Sequence, residues 1–427
     1  MNSMQRRNLS LFISGRLISL IGSGIQMIAI PLYILDLTGS GTLMGVFTML
    51  SMVPMLLISP LAGVLGDRLS RKSIAVYTDL GRGALIMVLS WLALNGWMSI
   101  PALFASQILI SIMDSLFNAA TAAMLADLVD VADFNRANAS KSAIDSLSMI
   151  VGPVIGGIIY GTSGITMVFF LNAASFLISG LCEIFITYRA TIQNGIKLTA
   201  RSFMTEIRDV LSFINRHTGL KQLFAFAMVS NFLASPLIMV AFPYIFKKTI
   251  GFTSEQYGYL MTTFMVGLLI GNILIGSIFS KSGAGGLMRT GLVAQGFLLM
   301  ILAAITFPVV VQGFQGPSWK FFGVIAGGFI SSGIFNALVN TPLNTNLQKM
   351  VPPEMRSRFF AVLGLIAQLA VPVGSVIYGF LLDMIPSHLI MAIVGFINFV
   401  ITLVFIKYAS PEAYEPKAYT PDLSVTD

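Results

Sequence analysis

The chain has 427 residues, of which 56% are hydrophobic and only 10% are charged, and its net charge is +7. So much apolar surface cannot be enclosed in the core of a soluble protein, so the composition excludes the soluble classes and predicts a polytopic membrane protein. The positive charge suits the anionic lipids of an inner membrane leaflet and gives no reason to expect a nucleic-acid partner.

Twelve apolar windows are long enough to cross a bilayer, which takes about 20 residues in a helix. The windows are continuous and do not alternate with a period of two, so the sequence predicts helices and excludes a barrel. The predicted fold class is an all-α membrane protein. The windows fall near residues 9–34, 42–66, 73–95, 101–125, 139–160, 164–187, 222–246, 256–279, 284–308, 320–343, 358–381 and 387–408.

Lysine and arginine are distributed unevenly over the loops between these spans. With the N-terminus inside, 20 of them are cytoplasmic and 3 lie outside, namely Lys247, Lys248 and Lys320. Because positive charge is retained on the cytoplasmic side, this bias predicts a multi-pass protein of the cell membrane with both termini in the cytoplasm. The first span is too long for a signal-peptide core, so we expect it to be retained.

Metal, disulfide and nucleotide sites are not expected. The single cysteine, Cys182, cannot form an internal disulfide, and His217 and His388 lie in or near loops on opposite sides of the membrane. No Gly-x-x-x-x-Gly-Lys-Ser/Thr loop is present, so ATP is not the expected energy source. We therefore expect no cofactor and predict that any transport draws on an ion gradient.

The chain contains an internal repeat. Residues 27–31 reappear as 239–243 at an offset of 212, and residues 117–119 reappear as 335–337 at an offset of 218. Spans 1, 4 and 5 thus correspond to spans 7, 10 and 11, which predicts two pseudo-symmetric six-helix halves. The predicted domains are an N-terminal half (1–188), a cytoplasmic linker with an interfacial helix (189–221), a C-terminal half (222–408) and a cytoplasmic tail (409–427).

A charged segment from Gly63 to Lys72 separates spans 2 and 3, and its four charges predict a short loop at the membrane surface. It resembles the loop between helices 2 and 3 of the major facilitator superfamily, Gly-x-Leu-Ala-Asp-Arg-x-Gly-Arg-Lys, and departs from it at Gly66 and Ser70. The resemblance implies that Asp67 closes an inner gate by bonding to the N-terminus of helix 11, near Arg358.

The cations of this segment have two interpretations. Arg68, Arg71 and Lys72 are placed to reach Asp127 or Asp130 at the end of span 4. Alternatively, they belong to a solvated turn that obeys only the positive-inside rule. That second interpretation does not account for Asp67.

Further segments narrow the resemblance to the macrolide-efflux branch of the superfamily, which is also similar to siderophore exporters. The likeness implies the major facilitator fold, with twelve transmembrane helices, and proton-driven export by antiport with alternating access. The expected partners are an amphiphilic small molecule such as a macrolide, protons and the bilayer, with the protein a monomer. Export of a siderophore or a lysolipid is the alternative. The resemblance is carried by residues 19–23, 37–40, 79–80, 135–138 and 152–153.

A glycine-rich segment in span 5 is similar to the antiporter motif of exporters. It contains Gly152, Pro153, Gly156 and Gly157. Such a segment allows close helix approach and a bend at the proline. Plain helix packing is the other interpretation.

Five ionisable residues inside predicted spans qualify as functional candidates, all in the first half: Arg16, Asp79, Arg82, Asp114 and Asp145. Each costs about 2.5 to 3.5 kcal/mol to insert, so each is a functional candidate. Asp114 lies near the middle of span 4 and is expected to lack a nearby cation. Burial then favours its neutral form, as a proton carrier requires, although it could instead bond a neighbouring helix or a water.

The other four are predicted to pair. Arg16 and Asp145 lie about two turns from the cytoplasmic ends of spans 1 and 5, which are neighbours in the fold that the resemblance implies. This pair serves either proton coupling or architecture. Asp79 and Arg82 are three residues apart, and for them a local structural pair is favoured.

Polar side chains in the spans are candidates for orienting cargo in a central cavity: Asn118, Asn336, Asn340 and Gln368. Methionine and phenylalanine suit apolar cargo, although most of them are expected to serve packing. An enzyme is not expected, because neither a metal set nor a nucleophile with its base is visible. A sensor without transport activity is disfavoured because the tail beyond the last span is short.

Overall fold

The structure is a computed structural model that describes residues 1–188 and 200–416. In these ranges the regular secondary structure is helical, with a 3₁₀ turn at Val131–Asp133 and two π-helical stretches, Leu237–Ala241 and Tyr244–Ile250. The helices are α1 Ser3–Thr38, α2 Gly41–Arg68, α3 Arg71–Leu94, α4 Ile100–Leu128, α5 Phe134–Ile184, α6 Ala200–Arg216, α7 Thr218–Pro236, α8 Ser254–Ser277, α9 Ala284–Ile305, α10 Pro308–Gly313, α11 Trp319–Met350, α12 Arg356–Met384, α13 Ser387–Tyr408 and α14 Pro411–Tyr414.

Eleven helices of the described chain are long and apolar enough to cross a membrane. The difference from the predicted twelve lies in α5, whose 51 residues would form a helix about 76 Å long if unbroken, more than twice the bilayer core. Gly164 interrupts it with φ 71° and ψ −174°, a conformation open to glycine. The all-α membrane fold is confirmed, and the count of twelve spans stays a prediction.

Serine side chains cap the N-termini of four helices. Ser40, Ser70, Ser99 and Ser318 each accept a hydrogen bond from the backbone N–H three residues later, at the start of α2, α3, α4 and α11. Each cap satisfies a donor that the helix itself leaves free. Gly39, with φ 65°, ends α1 in the left-handed conformation that glycine adopts without strain.

The charged segment between α2 and α3 is mostly helical, so the prediction of a loop starting at Gly63 is wrong. The helix runs on to Arg68, and the Leu69 N–H still bonds the Leu65 carbonyl. Only Leu69 and Ser70 separate the two helices. Charged side chains at a helix end can reach water without unwinding it, which explains the difference.

The chain divides into two compact units. Their bounds do not coincide with the predicted halves, because short segments around the start of α8 group with the first unit. The predicted boundaries of the linker and the tail include residues 189–199 and 417–427, which lie outside the described chain. The first unit contains Met1–Leu198, Phe246–Lys248 and Phe252–Thr262, and the second contains Thr199–Ile245, Thr249–Gly251 and Thr263–Asp427.

In the first unit α1 packs along α5, α2 packs on α4, and α3 contacts both α4 and α5. In the second unit α7 packs on α12, and α9 packs on α11 and α13. The core of the second unit also takes in Val210 and Ile214 of α6 and Ala413 and Tyr414 of α14. The interfacial position expected for α6 stays a prediction.

Candidate functional site

Ionisable side chains of α3 and α4 meet inside the first unit. Asp79 has no exposed surface, Arg82 is buried, and the Asp114 side chain is 34% exposed. Arg82 donates from Nη2 to Asp79 Oδ1 and from Nη1 to Asp114 Oδ1. One guanidinium therefore holds two carboxylates, each through its own nitrogen. We call these three residues the charge cluster.

Two aromatic rings fix the position of Arg82. Its guanidinium carbon lies 4.4 Å from the ring centroid of Phe117 on α4 and 4.3 Å from that of Phe176 on α5. A planar cation stacks well on aromatic faces, and the low dielectric around the rings strengthens its ion pairs. Three helices thus meet at one arginine side chain.

The prediction that Asp114 lacks a nearby cation is wrong. Arg82 lies at the middle of α3 and Asp114 at the middle of α4, so the two side chains are at similar depth and the long guanidinium side chain spans the gap between the helices. The predicted local pair of Asp79 and Arg82 is present and extends to a third member. The site therefore offers two acids with unequal access, since Asp79 is enclosed and Asp114 is partly exposed.

Glu183, on the second arm of α5, was missed by the sequence reasoning. It is 3% exposed, and its charged neighbours are Asp79 and Arg82. A signal was present, because Glu183 falls inside the predicted span 164–187. Its position near the end of that window concealed its burial.

Arg16 and Asp145 lie together, as predicted from their depth. Arg16 Nε is 2.8 Å from Asp145 Oδ1, and Lys141 Nζ is 2.7 Å from the other oxygen of the same carboxylate. The pair joins α1 to α5. A role in proton coupling stays a prediction for both residues.

The basic end of the first unit, where Met1, Lys72 and Asp127 lie, carries a second polar network. Arg71 Nη1 lies 2.7 Å from Asp127 Oδ2, as predicted. Lys72 does not reach an aspartate but donates to the backbone oxygens of Ile184 and Ile186, because these carbonyls end the helix beside it. The side chains of Asp67 and Arg68 and the surroundings of Gly63 lie outside the described part of the structure, so the gate assigned to Asp67 stays a prediction.

Tyr188 also belongs to this network, just beyond the last turn of α5. Its hydroxyl donates to Asp127 Oδ2 at 2.6 Å. Burial and the neighbouring carboxylate raise the pKa of Tyr188 to about 12. The hydroxyl therefore remains a donor over the whole physiological pH range and keeps the end of α5 attached to α4.

The glycines of the predicted antiporter motif lie at backbone contacts. A Cβ on Gly152 would lie 2.8 Å from Gly24 Cα, and one on Gly156 would lie 2.7 Å from the Ile25 carbonyl oxygen. A Cβ on Gly157 would lie 2.6 Å from the Ser254 carbonyl oxygen. Helical dihedrals continue through Pro153, and the break comes later, at Gly164. This geometry favours close packing as the role of the segment.

The four predicted cargo residues lie in different units. Asn118 is exposed on α4 of the first unit, and Gln368 is exposed on α12 of the second. On α11, Asn340 Nδ2 donates to Asn336 Oδ1 at 2.8 Å. Their contact with cargo stays a prediction. Of the methionines of α2, Met44 is buried, so its role is packing.

Asp36, at the last turn of α1, is a second charged residue that the sequence reasoning missed. Its Oδ2 lies 2.9 Å from Lys247 Nζ and 2.7 Å from the Tyr160 hydroxyl, all within the first unit. The predicted first span ended two residues too early to include it. The repeat offset of 212 pairs Asp36 with Lys248, but a repeat relates equivalent positions of the two halves and gave no indication of the contact with Lys247.

The sequence is similar to named efflux proteins over most of its length. Macrolide efflux protein A of Streptococcus pyogenes is 24% identical over 377 residues, which cover 87% of this chain and 88% of that protein. The multidrug efflux pump Tap of Mycolicibacterium fortuitum is 24% identical over 401 residues, covering 91% of this chain and 92% of that pump.

Solved structures with this fold include the nucleoside transporter NupG, with a TM-score of 0.71, 14% identity, and coverage of 95% of this chain and 99% of that one. A bacterial homologue of the iron transporter ferroportin gives a TM-score of 0.71 at 16% identity, covering 96% and 100%. These likenesses confirm the major facilitator fold. A family model described as transmembrane secretion effector matches residues 6–424. The chain therefore belongs to the transmembrane secretion effector family of the major facilitator superfamily and is a membrane transporter, not an enzyme.

Proposed function

We propose that the protein exports amphiphilic small molecules such as macrolides in exchange for protons, by alternating access. The relatives named as macrolide and multidrug efflux proteins support this cargo class. The charge cluster is the observation that carries the proton coupling, because ionisable groups this deep in a span are expensive and are retained for function.

The cluster can respond to one proton without falling apart. A proton on Asp114 removes its charge and weakens its bond to Arg82, since charge-assisted hydrogen bonds are about twice as strong as neutral ones. Asp79 still holds Arg82, so the guanidinium is not left unpaired. Protonation thus changes how firmly α4 is tied to α3, which is the kind of small local change that a two-state transporter can use.

Competition for Asp114 couples the proton to the cargo. Asn118 lies one turn further along α4 and is also exposed, so an amide and a carboxylate share one helical face. A cationic amphiphile can bind the ionised carboxylate, and a proton arriving at the same oxygen displaces it. Because both ligands cannot hold one carboxylate, they cross the membrane in opposite directions.

The direction of transport follows from the orientation that the positive-inside rule gives. On that rule the basic end faces the cytoplasm, and both termini lie on the cytoplasmic side of the cell membrane. Protons then enter from outside and leave at the basic end, while cargo moves outward. Asn336, Asn340 and Gln368 remain predicted cargo contacts.

The test is dissipation of a proton gradient in everted vesicles on adding macrolides, cationic dyes, lysolipids or catecholate siderophores. Wild type is compared with Asp114→Asn and with the exposed control Asp209→Asn on α6. We expect a macrolide or a cationic dye to collapse the gradient with wild type and the control but not with Asp114→Asn. A response to lysolipid or siderophore alone contradicts the cargo class, and no response to any compound in folded protein contradicts antiport.

A further inference from the structure

Three buried polar atoms lie together at the charge cluster, between α3 and α5. Glu183 Oε2 has no hydrogen-bond partner among the described residues, and it lies with Asp79 Oδ2 and Ser179 Oγ, whose side chains interact with each other. Buried polar groups in folded proteins nearly always have a hydrogen-bond partner. An enclosed carboxylate oxygen without a partner, next to Asp79 and Ser179, therefore points to a function that uses it.

These atoms share one contact between α3 and the second arm of α5. Ser179 and Glu183 are four residues apart, so they lie one above the other on the same helical face. Gly180 brings that face against α3, because a Cβ added there would lie 3.5 Å from Asp79 Cβ and 2.9 Å from Leu80 Cδ2. The close approach of the two helices seals the three atoms from the surroundings.

The charged groups that face Glu183 all belong to α3. Asp79 repels it and Arg82 attracts it, but Arg82 is already bonded to two carboxylates. Lys72 binds the Ile184 carbonyl oxygen at 2.7 Å, just after Glu183 in the chain. The α1 side of the contact presents Gly15, which lies against Ser179 and Cys182 and carries no charge.

Glu183 thus forms no ion pair within the described chain, and it is more deeply buried than Asp114. One guanidinium cannot compensate three carboxylates in a nearly dry site. A carboxyl in that position is favoured in its neutral, proton-carrying form. The neutral form also gives Glu183 an O–H that can donate to an acceptor such as Asp79.

We propose that Glu183 is the inner proton-binding residue of this transporter, linked through Ser179 and Asp79 to Asp114. This inference rests on the proposed antiport. The three acids then form a relay that runs from the partly exposed Asp114 through the enclosed Asp79 to Glu183. Glu183 lies about 4.5 Å beyond the Gly180 contact along α5, toward the basic end.

The relay works by transfer of one proton between oxygens. The proton that Asp114 takes up passes to Asp79 when cargo leaves, and Asp79 gives it to Glu183 after Glu183 has released its own proton to water at the basic end. Each step breaks one O–H bond and forms another. The net result is one proton moved across the inner half of the membrane, with every acid returned to its starting state.

The test uses the full-length protein in proteoliposomes, with Glu183→Gln, Glu183→Asp and the exposed control Glu354→Gln between α11 and α12. Two rates are measured with the cargo found to dissipate the gradient: proton flux driven by the cargo, and exchange of labelled for unlabelled cargo without a gradient. Glutamine keeps the shape of the neutral acid but cannot release a proton. We expect Glu183→Gln to lower proton flux by about tenfold or more and to leave exchange within about twofold, because only proton transfer is lost.

Infrared difference spectra provide a readout that packing alone would not change. At neutral pH wild type and Glu354→Gln should show the carbonyl stretch of a buried protonated carboxyl, and Glu183→Gln should lack it. Glu183→Asp should recover part of the flux. Wild type without proton flux overturns the antiport itself. Wild type and Glu183→Gln with equal flux, or with the same infrared band, overturn the role of Glu183 alone.

Discussion

Arg16 Nε of α1 lies 2.8 Å from Asp145 Oδ1 of α5, while Lys141 binds the other oxygen of that carboxylate. The three partners are not equivalent. Asp145 faces two cations, whereas Arg16, whose side chain is 12% exposed, bonds this one carboxylate. The arrangement stabilises the packing of α1 against α5 near the basic end of the first unit.

Because Asp145 has two cationic partners and Arg16 has one carboxylate partner, substitutions at the two positions should destabilise the protein to different extents. Asp145→Asn leaves two cations side by side without an anion, whereas Arg16→Ala leaves Asp145 bonded to Lys141. We expect Asp145→Asn to lower the free energy of unfolding by about 2 kcal/mol, below the 3 to 5 kcal/mol of a fully buried pair, and Arg16→Ala to cost less. The thermal midpoint in detergent checks the order, and a larger loss for Arg16→Ala would contradict it.

The Gly24 and Gly152 backbones touch, which predicts that neither position accepts a side chain. A Cβ on Gly152 would lie 2.8 Å from Gly24 Cα, closer than real carbon contacts allow, so α1 and α5 must move apart. We expect Gly152→Ala to destabilise the protein by about 1 to 3 kcal/mol. Gly327→Ala on α11 is the matched control, because no atom lies within 4 Å of its added Cβ.

In an exposed or open helical position alanine is the better helix former, by about 1 kcal/mol over glycine. Gly327→Ala should therefore leave the thermal midpoint unchanged or raise it, while Gly152→Ala lowers it. Equal midpoints for the two variants would show that α1 and α5 separate at no cost. The small residues would then need another explanation.

Residue depth predicted the Arg16 and Asp145 pair only together with the resemblance, because both residues lie about two turns from the cytoplasmic ends of their predicted spans and the resemblance implies that these spans are neighbours. Depth alone did not predict that Asp114 pairs with Arg82. Whether Arg82 reaches it depends on the rotation of α3 relative to α4, which the apolar pattern of a buried helix leaves open. The break at Gly164 was visible in the sequence, since the predicted spans 139–160 and 164–187 divide at this place, but the left-handed glycine that makes the break was not identified.

Tyr414, near the end of the described chain, is predicted to stabilise the second unit mainly through its ring and less through its hydroxyl. The ring is 2% exposed and lies 4.3 Å from the Arg289 guanidinium carbon. The hydroxyl is buried and interacts with the same Arg289 side chain. Tyr414→Ala should therefore cost about 3 to 5 kcal/mol, while Tyr414→Phe, which loses only the hydroxyl, should cost about 0.5 to 1.5 kcal/mol.

The comparison of these two variants separates packing from hydrogen bonding at one position. Asn346 Nδ2 donates to the carbonyl oxygens of Ala413 and Tyr414, so a chain ending at Tyr408 should lose stability as Tyr414→Ala does. Thermal unfolding of the three proteins gives the order. A loss for Tyr414→Phe as large as that for Tyr414→Ala would place the stabilisation at the hydroxyl.

We predict a small but measurable coupling energy between Asp36 and Lys247, which lie with Tyr160 at the C-terminal end of α1. The Asp36 and Lys247 side chains are 42% and 20% exposed, so water competes for the ion pair. A double-mutant cycle with Asp36→Asn and Lys247→Gln should give a coupling of about 0.5 to 1 kcal/mol, as for other partly exposed pairs. A coupling near zero at low salt would mean that Tyr160 alone holds Asp36.

At Arg82 even the conservative change to lysine is predicted to destabilise the first unit. The guanidinium reaches Asp79 and Asp114 with separate nitrogens while it lies between the rings of Phe117 and Phe176. An ammonium is a compact point charge, so it can serve one carboxylate well but not both, and it does not stack as a plane. Arg82→Lys should therefore lower the free energy of unfolding by about 2 kcal/mol or more, since Asp79 or Asp114 is left without its partner.

The matched control is Arg208→Lys, an exposed position on α6 where the same change should have no effect on the thermal midpoint. Adding Asp114→Asn to Arg82→Lys should restore part of the lost stability, because the second carboxylate no longer carries a charge. Restoration is expected only if the two acids compete for one cation. If Asp114→Asn lowers the midpoint of Arg82→Lys further, Asp114 has another cationic partner, and the account of a single shared guanidinium is wrong.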